Sequence, residues 1–325
     1  MRPVMPLLET LEGILLGTSE AAPAAPHLRD NIDLKRYMGV VILALMPSAL
    51  ASIYFFGWHA LLIIIVAYVV GGAIEILFAL IRRKEIEEGF LVTGLIFPLI
   101  LPPTVPLWVV AVGVAFGVFF GKEAFGGTGR NIFNPALVGR LFITIAFPQT
   151  MSAVWRAPFS DAITAATPLG VFKSTGQTAA LADLLLGQTT GSMGELFRVG
   201  IIFGGLVLMF ARVANWRIPI SYLGTVLIFS LVGNALAPQT IAPALFQILS
   251  GGLLFGALFM ATDPVTSPAT RGGKYVFGVA CGVVTMLIRN FSGFTEGVMF
   301  SIVLMNAFAP LIDNAFIAVR YRQGR

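Results

Sequence analysis

The sequence predicts an all-α polytopic membrane protein of about ten transmembrane helices, in two inverted five-helix repeats with broken helices. Three observations carry this. Of the 325 residues, 57% are hydrophobic and only 11% are charged, against roughly 25% charged in soluble domains. The mean hydropathy is +0.89. The apolar residues also fall into runs of spanning or near-spanning length, separated by Gly, Pro and polar punctuation.

In chain order, residues 1–37 read as an N-terminal arm. They carry acids and prolines and lack the apolar core of a signal peptide. Within the arm, Leu7–Leu16 is mildly amphipathic, a pattern shared by membrane-surface segments and frayed tails. A first helical repeat spans 38–149, with runs at 38–57, 60–81, 89–102, 106–120 and 136–149. The runs 89–102 and 136–149 are too short for a straight crossing and call for tilt or flanking support. Residues 150–195 form a long polar loop. A second repeat spans 196–318, with runs at 196–211, 218–237, 242–261, 275–289 and 297–318, and 319–325 is a tail.

Ten spans put both termini on one side of the membrane. With that alternation, 17 of the 21 basic residues share the side of the termini, Arg82, Lys122, Arg140 and Arg212 among them. The other side holds Arg156, Lys173, Arg198 and Arg289. The positive-inside rule makes the richer side cytoplasmic. In a bacterial inner membrane the polar loop then faces the periplasm. The formal net charge of +5 is accounted for by this orientation and implies no nucleic-acid partner; the partner it implies is the lipid bilayer.

Two patterns recur across the halves. Asn131-x-Phe133-x-Pro135 is repeated as Asn306-x-Phe308-x-Pro310, and Pro103-Thr-Val-Pro106 has a loose counterpart in Asp263-Pro264-Val-Thr-Ser-Pro268. Paired, interrupted apolar segments are a mark of repeat-built membrane folds. A proline there frees backbone groups that lipid cannot satisfy, so the break needs protein, water or a cofactor beside it.

The chain has one cysteine, Cys281, and two histidines, His27 and His59, on opposite sides of the first span. This excludes an internal disulfide, a self-contained iron–sulfur cluster and a bis-His haem, so a redox role falls to organic cofactors. Cys281 reads as a small buried apolar residue. Trp58, Trp108, Trp155 and Trp216 lie at span ends, as interfacial aromatics do.

Three constellations could carry chemistry. The polar island Gln149–Gly194 contains Asp161-Ala-Ile-Thr164-Ala-Ala-Thr167-Pro168 and is followed by Glu195. Pro168 biases Thr167 toward an extended backbone, from which its hydroxyl projects; a polar loop without a role has the same composition. In Gly121–Pro135, glycines permit close backbone approach to a ligand. Asn131 and Asn134 share a face if that segment is helical. Lys122 and Glu123 read there as a membrane-edge pair. The third set is the intramembrane acids Asp263, Glu296 and Asp313, functional candidates because a carboxylate in lipid is costly; Glu296 lies nearer a loop and reads as solvated.

Together these motifs resemble one family, which holds the NqrB component of the Na⁺-pumping NADH:quinone oxidoreductase (Nqr) and the RnfD component of the Rnf complex. Asp161-x-Ile-Thr-x-Ala-Thr167-Pro-Leu is similar to that family's Ser-x-Ala-Thr flavinylation motif, with Thr164 and Ala165 where Ser and Gly are usual. Leu101–Trp108, Phe125–Asn131, Asn134–Arg140, Gly191–Glu195 and Met260–Val265 follow in the family's order. The resemblance implies FMN joined through its phosphate to Thr167, with Thr164 nearby and Gly191–Glu195 over the flavin. It implies a riboflavin-proximal region at Asn131, Asn134 and Asp263, and cation passage by Glu123, Asp263 and Asp313. The implied partners are the other membrane, flavin and iron–sulfur subunits of such a complex and a flavin transferase for maturation. In the Nqr branch electrons continue to riboflavin and quinone. His27–Arg36 and Leu101–Trp108 look like Nqr, whereas Asn290–Met299 looks more like Rnf. A secondary transporter or channel without a redox cofactor is the competing expectation, from the repeat and the acids alone.

Overall fold

In a computed structural model, residues 34–83, 89–152, 155–160, 163–164 and 166–322 are described. Most of the predicted arm, with Leu7–Leu16 and His27, lies outside them, as do residues 84–88, Asp161 and the last three residues. Fourteen α-helices are found among the described residues. The first five are α1 (Leu34–Phe56), α2 (Trp58–Arg82), α3 (Gly89–Leu99), α4 (Leu107–Gly121) and α5 (Pro135–Ala146). The polar loop holds α6 (Pro148–Ser152), a two-residue antiparallel ladder of β1 (Trp155–Arg156) and β2 (Ile163–Thr164), α7 (Pro168–Thr175) and α8 (Leu181–Leu186). There follow α9 (Arg198–Phe210), α10 (Arg217–Leu236), α11 (Ala244–Leu249), α12 (Leu253–Phe255), α13 (Arg271–Phe291) and α14 (Val298–Arg322).

Six helices are long and apolar enough to cross a membrane, and α3, α5 and α9 are shorter apolar helices. The protein is multi-pass. The short runs at 89–102 and 136–149 are short helices, of 11 and 12 residues. The run 242–261 is no single helix: α11 and α12 are separated by Gly251, at φ +64°, and α12 passes into a π-helical turn, Gly256–Met260.

Small residues set the helix contacts. A Cβ on Gly139 would stand 2.5 Å from the Gly113 carbonyl oxygen, and one on Gly117 would stand 2.5 Å from that of Pro135. The backbones of α4 and α5 therefore touch, as small residues allow in membrane helices. Gly204 likewise admits the Ala44 carbonyl of α1 against α9, and Gly278 and Gly282 seat α13 on α10. The outward faces carry Leu43, Leu80, Phe210 and Leu236, all exposed, as lipid-facing positions should be. Trp58, Trp108 and Trp216 are exposed too.

Both predicted breaks are present, and both are satisfied by protein. Between α3 and α4 the Leu101 carbonyl accepts from Met193 N at 3.0 Å. Between the π-turn and α13, the Asp263 carboxylate accepts from Val265 N and Thr266 Oγ1, each at 3.1 Å. The Asn-x-Phe-x-Pro copies, however, differ in structure. The first lies in the loop before α5, where Gly126, Gly127 and Gly129 have φ of +115°, +102° and +84°. The second is inside α14, which has no glycine and tolerates Pro310 within it.

Candidate functional site

Thr167 has φ −84° and ψ 163°, the extended backbone that Pro168 favours, and it is the N-cap of α7. Its Oγ1 accepts from Gly170 N at 3.2 Å. The helix it begins is held on two sides. Leu169 and Phe172 pack with Leu184, Ala242 and Phe246 in a small separate core. Lys173 donates to the carbonyls of Arg289 (3.3 Å), Phe294 (3.0 Å) and Ser292, across the turn between α13 and α14. Burial lowers the Lys173 ammonium from its ordinary value.

Thr167 opens on a cavity of about 160 Å³ that Arg140, Trp155, Ser192, Glu195 and Glu296 also line. Glu195 closes a capping box with Ser192, its Oε1 accepting Ser192 N at 2.5 Å. Burial first, then the nearby Glu296 carboxylate, push the Glu195 carboxyl above its ordinary value, against the opposing pull of Arg140. Glu296 is held by Arg289 at 3.0 Å and by Gly252 N at 2.9 Å. Arg140 is buried, and its Nε has no partner. Thr164 pairs with Trp155 through the backbone of the small ladder; its side chain lies outside the described residues.

A second cavity, of about 70 Å³, is lined by Asn131, Asn134 and Asp263 together with Tyr37, Lys122 and Thr128. It joins two ends of the sequence that the motifs alone could not bring together. Helix α5 runs from this cavity, at Pro135, to the Thr167 cavity, at Arg140 and Thr144. At 1.5 Å per residue, about 8–14 Å of helix separates them. Helix α14 runs the opposite way. Met299 lies at the Thr167 cavity, and Asn306 meets the Asn134 N–H at 3.5 Å and the Thr266 carbonyl at 3.0 Å.

The residues matched by the model of the NQR2, RnfD, RnfE family are 21–322. This chain belongs to that family. Among its relatives are three NqrB proteins, components of Na⁺-translocating NADH-quinone reductases. The one from Pseudomonas aeruginosa is 38% identical over 98% of this chain and 93% of its own. The Klebsiella pneumoniae protein is 36% identical over 95% and 90%, and the Yersinia pestis protein 35% over 98% and 93%.

Within this family member, several side chains stand differently from their sequence reading. Asn131 and Asn134 share no helical face. Asn134 is the N-cap of α5, accepting from Ala136 N and Leu137 N, and Asn131 braces the glycine turn through Gly129 N and the Phe133 carbonyl. Lys122 and Glu123 do not pair with each other. Lys122 Nζ meets Glu75 Oε1 at 2.6 Å, and Glu123 meets Arg82 at 2.7 Å. Asp313 accepts from Ala269 N, Thr270 N and Thr270 Oγ1, the residues that begin α13. Of the three acids expected in cation passage, Asp263 alone lines a described cavity.

Glu296 is an ion-pair partner rather than a solvated acid, and Trp155 is buried rather than interfacial. Arg140 lines the Thr167 cavity, more than a turn along α5 from Pro135. Glu75 was missed, although a lone acid in the apolar helix Trp58–Arg82 was a readable signal.

Proposed function

We propose that this chain is the covalent-FMN-bearing membrane component of a cation-translocating electron-transport complex of the Nqr/Rnf type, with Thr167 as the phosphoester acceptor. The observation that carries this is the placement of Thr167. Its partly buried hydroxyl stands at the N-terminus of α7 and opens on a cavity that contains a buried guanidinium with an unmet donor. A helix N-terminus suits a phosphate through its dipole. The donor set therefore fits an anionic, hydrogen-bonding cofactor.

When bound, FMN accepts and passes on electrons one or two at a time. The chain's own residues do the rest. The satellite core and Lys173 fix α7, and Trp155 and Met299 give the cavity apolar walls. At about 160 Å³ the cavity is smaller than the roughly 300 Å³ that encloses a drug-sized ligand. It would cover part of a flavin, to which the other subunits of such a complex would supply electrons.

The Asn131–Asn134–Asp263 cavity is the site for the next acceptor, riboflavin in the Nqr branch, with quinone beyond it. The NADH-quinone reductase relatives favour that branch. Asp263 is the chain's best candidate for the cation path; Glu123 and Asp313 bound that end as fixed charges. The ten-span, inverted-repeat topology gains support from α5 and α14, which run between the two cavities in opposite directions. With both termini cytoplasmic, the Thr167 cavity faces the periplasm, and a flavin transferase matures it there.

The test is a denaturing gel under ultraviolet light. A fluorescent band at the chain's own mass, lost in Thr167→Ala, is the expected result. A dark wild-type band from cells with a working flavin transferase contradicts it and favours a transporter without a redox cofactor.

A further inference from the structure

We infer that Arg140 supplies the fixed positive charge that faces the redox-active ring of the cofactor carried by Thr167 and sets that cofactor's potential. This rests on the assignment of FMN to Thr167.

Among the described residues three guanidiniums are buried; only Arg140 lines the cavity, and the other two are bonded to backbone carbonyls or to Glu296. Arg198 bonds the carbonyls of Leu184, Leu196 and Leu249. Arg289 bonds the Gln247 and Ser250 carbonyls and the Glu296 carboxylate. Both hold the irregular chain around α11 in place. Arg140 differs. Its Nε is buried without a partner, and Nη2 reaches only Ser192 Oγ, at 3.5 Å, the outer limit of a hydrogen bond. A buried charge with unmet donors is costly unless a ligand completes it.

The nearby carboxylates do not complete it. Glu195 is turned to Ser192 N, and Glu296 to Arg289 and Gly252 N. The cofactor's phosphate, esterified to Thr167, would lie at the N-terminus of α7, whose dipole favours it. What remains for Arg140 is the other part of the cofactor that becomes anionic, the N1–C2 carbonyl edge of the isoalloxazine, where negative charge collects on reduction. A fixed cation there stabilises the reduced, deprotonated ring over the neutral oxidised one. It raises the potential of the one-electron step, which then takes up no proton.

The test is a potentiometric titration of the intact complex, following the flavin whose signal is lost in Thr167→Ala. Arg140→Gln retains the fluorescent band and lowers the potential by about 59 mV, a tenfold change for one electron. Arg140→Lys, which keeps the charge, restores most of it. An Arg140→Gln protein that carries FMN and titrates at the wild-type potential overturns the inference. Should Arg140→Gln fail to assemble, the wild-type one-electron potential decides: the inference requires it to be constant across neutral pH, and a fall of one proton per electron overturns it. Absence of the fluorescent band from wild-type protein would instead overturn the Thr167 assignment.

Discussion

Lys122 Nζ lies 2.6 Å from Glu75 Oε1, and the two side chains are only 2% and 4% exposed. The pair ties the middle of α2 to the end of α4, and Lys122 also lines the Asp263 cavity. Removing Glu75 takes the carboxylate from a buried ammonium, at a cost of about 3–5 kcal/mol, whereas replacing both members of such a pair is close to neutral. Thermal unfolding in detergent should therefore show Glu75→Gln markedly destabilised, and the double variant with Lys122→Met close to wild type. A Glu75→Gln variant as stable as the double would show that the pair is not buried as described.

Glu195 makes the loop beneath Thr167 sensitive to pH. Its carboxyl is raised on folding from the ordinary 4.5 by burial and by Glu296. A raised carboxyl binds its proton more tightly in the folded state, so its stabilisation is complete below pH 4.5 and is lost as pH rises through the folded value. From mildly acidic to neutral pH, wild-type melting temperature should fall more steeply than that of Glu195→Gln. Parallel curves for the two proteins would refute the shift.

Lys173 is predicted to act as a clamp. Its ammonium spans three carbonyls at the turn from α13 to α14, while its backbone belongs to the helix that Thr167 begins. In Lys173→Met, amide exchange should quicken in both 168–175 and 292–297. Faster exchange in only one of these segments would mean that the lysine does not couple them.

Gly139 allows α5 to lie against α4. An added methyl meets the Gly113 carbonyl at 2.5 Å and the Phe97 ring at 2.9 Å, and overpacking of this kind costs about 1–3 kcal/mol. Gly224, in α10, has nothing within 4 Å of the same added atom. Gly224→Ala should therefore match or exceed wild-type stability, by up to about 1 kcal/mol, while Gly139→Ala melts lower. Equal melting of the two variants would argue against the close crossing.

The sequence was most legible where a residue acts through its own backbone. Pro168 announced the extended Thr167, and the apolar runs announced the spans. Pro103 and Pro264 marked breaks that the structure confirms. It was least legible where the chemistry is made between distant segments. Nothing near Arg140 in the chain points to Ser192 or Glu195, more than 50 positions away; the helix starting at Pro135 brings it to their cavity. The pairing of Lys122 with Glu75 rather than with its neighbour Glu123 depends on how α2 crosses α4. Asn131 and Asn134 had a helical spacing, but three glycines with positive φ turn that stretch into a loop.

The most direct test of the account is mass spectrometry of the tryptic peptide from Ala157 to Lys173, taken from protein made with a working flavin transferase. The account predicts a peptide heavier by one FMN less one water, with fragmentation placing the added mass on Thr167. An unmodified peptide, or the same mass on Thr164, would contradict it.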